Sequence, residues 1–171
     1  MTVIGIIPAR YQSSRFPAKM LAPILGKTLL QRTYECAKAC PLLDRLIIAV
    51  DNEEVYQHAK GFGAEVCMTD PACANGTERL VDAITRNSDL AKADIVVNIQ
   101  GDRPCLDPTS ISKIVAALQA NPHDLMSTPI VSITQEEEIL NPASVKCVID
   151  NNGYALYFSR TAIPYSKTAT F

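Results

Sequence analysis

Apolar residues in this chain fall into short unbroken runs, separated by longer stretches with helical spacing. Residues 2–7 are mostly β-branched and alternate little, which predicts a parallel strand covered on both faces that breaks at Pro8 into a polar loop. Residues 46–50, 65–68 and 95–99 predict three more strands. Between them, Leu29, Leu30, Thr33, Cys36, Ala37 and Cys40 recur at helical spacing, so a helix is expected from about Thr28 until Pro41 ends it. Residues 53–62, closed by Gly63, and 77–87 predict two further helices, and Asp107-Pro108 starts another that runs to about Ala120. Residues 126–133 and 145–149 read as later strands, and Asp150-Asn151-Asn152-Gly153 as a hairpin turn into residues 154–158. Strand and helix alternate, with a hairpin late. That order predicts an α/β fold with a doubly wound, mostly parallel sheet that turns antiparallel towards the end. With no linker or internal repeat, residues 1–171 are expected to form a single domain.

Composition narrows the function classes. The chain has 16 basic and 18 acidic residues, 47% hydrophobic content and a net charge of −2. Such a balance gives no global attraction to nucleic acid or an anionic membrane. No apolar run reaches membrane-spanning length, and the first run lacks the basic flank of a signal peptide, so a cytoplasmic protein is expected. Six cysteines and two histidines show no metal-binding spacing, and reduced thiols are expected.

Charge is unevenly placed within that neutral total. Before Glu35 the chain carries five basic residues (Arg10, Arg15, Lys19, Lys27, Arg32) and no acidic one. Three of them lie in the loop after the first strand, where fixed cations suit a polyphosphate. In doubly wound sheets ligands sit beyond the carboxyl ends of the strands, so this loop should meet the one after the fourth strand, Gln100-Gly101-Asp102. Asp102 is the candidate metal ligand, and a turn or helix-cap role is its equal alternative. Gly26-Lys27-Thr28 is not a P-loop, because Leu21 stands where the motif needs glycine. Ser13 and Ser14 lack the surroundings of a nucleophile, and Glu136-Glu137-Glu138 reads as a solvated helix start.

Five motifs, in order, resemble those of the 3-deoxy-manno-octulosonate (Kdo) cytidylyltransferase family. They are Ile7-Pro8-Ala9-Arg10-Tyr11 with Ser14-Arg15, Pro17 and Lys19; Gly76-Thr77-Glu78-Arg79-Leu80; Val97-Asn98-Ile99-Gln100-Gly101-Asp102; Asn141-Pro142 with Val145-Lys146; and residues 153–160 with Ile163-Pro164. The resemblance implies a nucleotide-diphospho-sugar transferase-like, Rossmann-like three-layer α/β/α fold. It implies the reaction of CTP with Kdo to CMP-Kdo and pyrophosphate, with Mg²⁺, for lipopolysaccharide biosynthesis. By the same resemblance Arg10 and Lys19 are catalytic and hold the triphosphate, with Arg15 nearby. Pro8 and Ala9 line the nucleotide pocket, and Asn75, Thr77 and Arg79 help to hold cytosine. Gln100 lies between nucleotide and sugar, Asp102 binds the metal, and Arg160 meets the sugar-acid carboxylate. The family forms homodimers and continues beyond the segment matched here, into a part that supplies further sugar contacts and a second metal-binding aspartate. Where the family usually has Asp-Glu-Pro, this chain has Asp102-Arg103-Pro104. A sialic-acid-type cytidylyltransferase and a non-catalytic nucleotide-binding module are the alternatives.

Overall fold

The structure is a computed structural model that describes residues 1–12 and 16–165. Its chain divides into two compact units, residues 1–127 and 128–171.

The first unit is built on strand β1 (Val3–Ala9), which packs between two neighbours. Strand β4 (Arg45–Val50) pairs with it on one side, and β6 (Ile95–Asn98) on the other. Strand β5 (Glu65–Met68) extends the sheet beyond β4, so the order is β5-β4-β1-β6 with every pairing parallel. The chain thus winds outward from β1 in one direction and returns to its other side with β6. This is the doubly wound topology that the alternation of elements implied.

Helices cover both faces. Side chains alternate across β1: Val3, Ile7 and Ala9 enter one core, while Ile4 and Ile6 enter the other. Helix α1 (Leu29–Lys38) contributes Leu30, Tyr34 and Ala37 to the first core, and α4 (Pro108–Ala120) contributes Ile111 and Val115. Helix α2 (Glu53–Gly61) adds Val55 and Ala59 to that face. Helix α3 (Gly76–Arg86) covers the other face with Leu80 and Ala83. Each start is capped as its sequence suggests. Thr28, Asn52, Asn75 and Asp107 each accept a backbone N–H from the first turn of the helix they precede.

Two expectations change. Residues 2–7 continue as strand through Pro8, which pairs opposite Ala49, and Ala9 pairs opposite Val50. Proline does not break the strand because β4 alone pairs with it there: the ladder to β6 ends at Ile6, opposite Asn98, so the missing N–H costs no ladder bond. Residues 126–133 form no strand. Their β-branched residues lie in the open, with Val131 88% exposed, and Pro129 interrupts the run of donors a ladder would need. Before α1 the chain makes a short hairpin, β2 (Pro23–Ile24) and β3 (Lys27–Thr28), turned by Leu25 and Gly26 at positive φ.

The second unit holds α5 (Glu136–Leu140) and an antiparallel hairpin of β7 (Lys146–Ile149) and β8 (Ala155–Ser159). Asp150 and Gly153 make its turn as expected, Gly153 at φ 88°. Lys146 is buried, and its Nζ donates to the carbonyls of Asn141, Ser144 and Arg160 at 2.7, 2.8 and 2.9 Å.

Gly5 marks the tightest point of β1. A Cβ there would lie 2.9–3.1 Å from methyl groups of Leu46, Ile99 and Leu43. Gly5→Ala is therefore expected to destabilise the fold by about 1–3 kcal/mol, the usual cost of overpacking a filled core, read from urea unfolding.

Candidate functional site

A cavity of about 630 Å³ lies where the winding of the chain reverses, beyond the carboxyl ends of β1 and β6. Three segments line it. The end of β1 and the turn after it supply Pro8, Arg10, Phe16, Lys19 and Met20. The loop into α3 and its first turn supply Cys73, Ala74, Asn75, Gly76 and Arg79, and the loop after β6 supplies Gln100, Gly101 and Asp102.

The segments approach closely because the positions between them are small. A Cβ on Gly101 would lie 3.2 Å from the Pro8 carbonyl oxygen and 3.1 Å from the Met20 sulfur. A Cβ on Gly76 would lie 3.2 Å from Pro8 Cγ. Thr33, fully buried in α1, fixes the third segment from behind: its hydroxyl lies 2.9 Å from the Gly101 carbonyl and 3.0 Å from that of Leu29, one proton serving both. Lys19 opens a single 3-10 turn behind Ala18, which adopts left-handed φ 51°.

Two ion pairs organise charge at the cavity, Lys19 with Asp102 and Arg79 with Asp51. Lys19 Nζ donates to Asp102 Oδ2 at 2.7 Å, the contact that brings the two expected loops together. That hydrogen bond holds the Asp102 carboxyl below the usual aspartate range; partial burial works against it, and the charges of Lys19 and Arg103 add to it. Arg79 is turned inward. Its Nη2 donates to Asp51 Oδ2 at 2.9 Å and its Nη1 to Thr69 Oγ1 at 2.6 Å, in a pair whose side chains are 3% and 11% exposed. Asp51 also accepts the Tyr11 N–H at 2.9 Å. Asn75 caps α3 by accepting from Glu78 N at 2.9 Å, and its Nδ2 donates back to the Glu78 carboxylate.

The structure thus gathers Pro8, Arg10, Lys19, Asn75, Arg79, Gln100 and Asp102 around one cavity. Ala9 is fully buried in the core beneath it, and Thr77 sits on the first turn of α3 outside the lining. Arg160 belongs to the second unit, where its Nη1 donates to the Pro142 carbonyl. Arg15, Ser13 and Ser14 lie outside the described residues. Sequence reasoning missed Asp51, Thr69 and Thr33. The signals were a carboxylate at the carboxyl end of a buried strand and a hydroxyl within the apolar stripe of α1.

Asp102 is the acidic side chain lining the cavity, and no group of three or more His, Cys, Asp or Glu gathers among the described residues. A metal there would take most of its ligands from a phosphate-bearing substrate and water. That donor set suits magnesium, which keeps waters and uses few protein carboxylates.

Residues 4–170 match the cytidylyltransferase family model. The chain belongs to the cytidylyltransferase family. It is 50% identical over 163 residues, 95% of its length, to the 3-deoxy-manno-octulosonate cytidylyltransferase of Chlamydia trachomatis serovar L2, of which it covers 63%. It is 49% identical over 166 residues to the mitochondrial 3-deoxy-manno-octulosonate cytidylyltransferase of Arabidopsis thaliana, covering 97% of this chain and 56% of that protein. The cytidylyltransferase fold agrees with a solved structure of CMP:2-keto-3-deoxy-manno-octonic acid synthetase complexed with CTP. That match has a TM-score of 0.86 and 33% identity, over 99% of this chain and 68% of the other. The chain therefore spans somewhat less than two thirds of the length of these curated relatives.

Lys19→Met should raise the Asp102 pKa, since the Lys19 hydrogen bond is the largest influence lowering it. Because that pKa lies below its unfolded value, the pair's contribution to stability is present above the ordinary aspartate pKa and fades as pH falls through the lowered one. Carboxyl-carbon NMR titration of both proteins checks the direction.

Proposed function

We propose that this chain is the nucleotide-binding part of a Kdo cytidylyltransferase, which joins CTP and Kdo into CMP-Kdo and releases pyrophosphate. The observation that carries the reading is the pairing of Lys19 with Asp102 inside the cavity where the winding of the chain reverses. Support comes from about half-identical relatives named for this activity and from the CTP-bound structural relative.

In this reading the sugar's anomeric hydroxyl attacks the α-phosphorus. The bond to the bridging oxygen breaks, pyrophosphate leaves, and the hydroxyl proton passes to solvent. Such a transfer asks the protein for alignment and charge neutralisation more than for a nucleophile. Arg10 and Lys19 are assigned to the triphosphate, and they steady the pyrophosphate as charge builds on it. Arg15 joins them by resemblance alone. Pro8 and Ala9 shape the nucleotide side. Asn75 and Thr77 bring the N-terminal end of α3 to the base, with Arg79 supporting that turn. Gln100, whose Nε2 lies 3.3 Å from Asn98 Oδ1, sits between nucleotide and sugar. Arg160 is assigned to the sugar-acid carboxylate by resemblance alone. Asp102 would hold Mg²⁺, which supplies neutralisation of phosphate charge. The reading includes a cytoplasmic reaction that feeds lipopolysaccharide synthesis, and a homodimeric enzyme; no described helix is long and apolar enough to cross a membrane.

A second reading, a nucleotide-binding module without turnover, rests on one observation: Arg103 puts a cation beside Asp102, the candidate metal ligand. Calorimetry with CTP, together with pyrophosphate release in the presence of Kdo or sialic acid and Mg²⁺, decides between them. Release with Kdo supports the first reading, CTP binding without release supports the second, and release with sialic acid alone changes the sugar.

Lys19→Met should weaken CTP about 10- to 100-fold, the usual worth of a charge-assisted hydrogen bond, and CMP by much less. An equal loss for both nucleotides would contradict its triphosphate role. Asp102→Asn should act in opposite directions on two quantities. Without metal it frees Lys19 and tightens CTP, while the extra affinity that Mg²⁺ confers on CTP disappears. Unchanged Mg²⁺ dependence in the calorimeter would remove Asp102 from the metal site.

A further inference from the structure

The geometry points to Asp51 as a positioning residue that sets the spacing between two walls of the nucleotide cavity. The inference rests on the CTP reading above. Asp51 follows β4, is 11% exposed and contributes nothing to the lining. Each of its oxygens holds a different wall. Oδ1 accepts the N–H of Tyr11, the residue directly after Arg10 in the basic segment. Oδ2 accepts from Arg79, one turn into α3 beyond Asn75 and Gly76.

The other bonds of the cluster close on the scaffold. Arg79 Nη1 donates to Thr69 Oγ1, and the Thr69 hydroxyl donates to the Val50 carbonyl at 2.7 Å. Thr69 N–H reaches the same carbonyl at 2.8 Å. Arg79 is thereby seated on the ends of β4 and β5, although its edge reaches the cavity.

The two accepted hydrogen bonds suit a carboxylate at this position. Two donors approach from different elements, and a carboxylate is acceptor-only. Asparagine would offer one oxygen and turn an amino group towards the other donor. Histidine, serine or glutamine at this place would leave one wall untied or shift it. A triphosphate must reach from the α3 wall to the Arg10 and Lys19 wall, so its affinity depends on their spacing. CMP, with one phosphate, depends on it less.

The test is Asp51→Asn in the whole chain, read by melting temperature, by amide exchange at Tyr11 and by calorimetric affinity for CTP and CMP. The variant should fold with a lower melting temperature. Exchange at Tyr11 should speed up by about tenfold or more, and CTP should weaken by about tenfold with CMP changing roughly threefold or less. Wild-type protection at Tyr11 together with unchanged CTP affinity overturns the inference. So does an equal weakening of CTP and CMP, which would mark Asp51 as structural support alone. Should the single variant fail to fold, because Arg79 is then buried without a counter-charge, Asp51→Ala/Arg79→Met removes both charges and is judged by amide exchange at Tyr11, since Arg79 itself reaches the cavity: faster exchange supports the tie and wild-type protection overturns it. A wild-type chain that does not bind CTP overturns the CTP reading instead. In that case loss of protection at Tyr11 in the variant still supports the tie between the walls, and its retention overturns it.

Discussion

Everything functional in this protein depends on where β1 lies. It is parallel to strands on both sides, and the chain leaves it in one direction and returns to it from the other. Loops beyond the carboxyl ends of β1 and β6 therefore diverge from a shared origin, and a crevice must open between them. The crevice follows from topology before any side chain is chosen. Side chains decide what it holds. Here the loop after β1 carries cations, the loop after β6 carries Asp102, and the two meet through a 2.7 Å ion pair.

Charge in the site is arranged at two depths. Lys19 and Asp102 are each more than a third exposed, so their pairing is screened by water and exchangeable for stronger partners. In the proposed reading a phosphate takes the carboxylate's place on Lys19, and a metal takes the ammonium's place on Asp102. Arg79 and Asp51 are nearly dry, and separating such a pair costs about 3–5 kcal/mol because one charge is left buried alone. The outer pair is thus suited to opening for a ligand, and the inner pair to holding still while it does.

Most strands and helices, and the meeting of the loops after β1 and β6, were legible because each rests on local pattern or on a topological rule. Run 46–50 reads correctly as a strand because burial on both faces erases alternation, whereas 95–99 reads so from its β-branched residues although Val96 and Asn98 face outward. The Asp51–Arg79 tie was not legible. It joins positions 28 residues apart whose sequence neighbours give no hint of contact, and Arg79 looked like one more cation for a nucleotide. Residues 126–133 failed for a different reason. Their composition suits a strand, yet a strand exists only with a partner, and propensity contains no information about one. Pro8 failed in the reverse sense, since a residue that usually ends strands is tolerated where one neighbour still pairs and the ladder on the other side has already ended.

Gly5 carries one more consequence. A parallel strand flanked on both sides can in principle slide along its neighbours during folding, and a slip of one residue exchanges its two faces. A slip of two would restore the faces and so escape that penalty. In β1 it would push Val3 or Ile7 into the slot where Leu43, Leu46 and Ile99 already crowd a single added carbon. The missing side chain therefore acts as a key: only one alignment places a glycine there. Since Arg10 and Lys19 follow at fixed distances along the chain, the alignment that seats Gly5 also decides where the cations arrive.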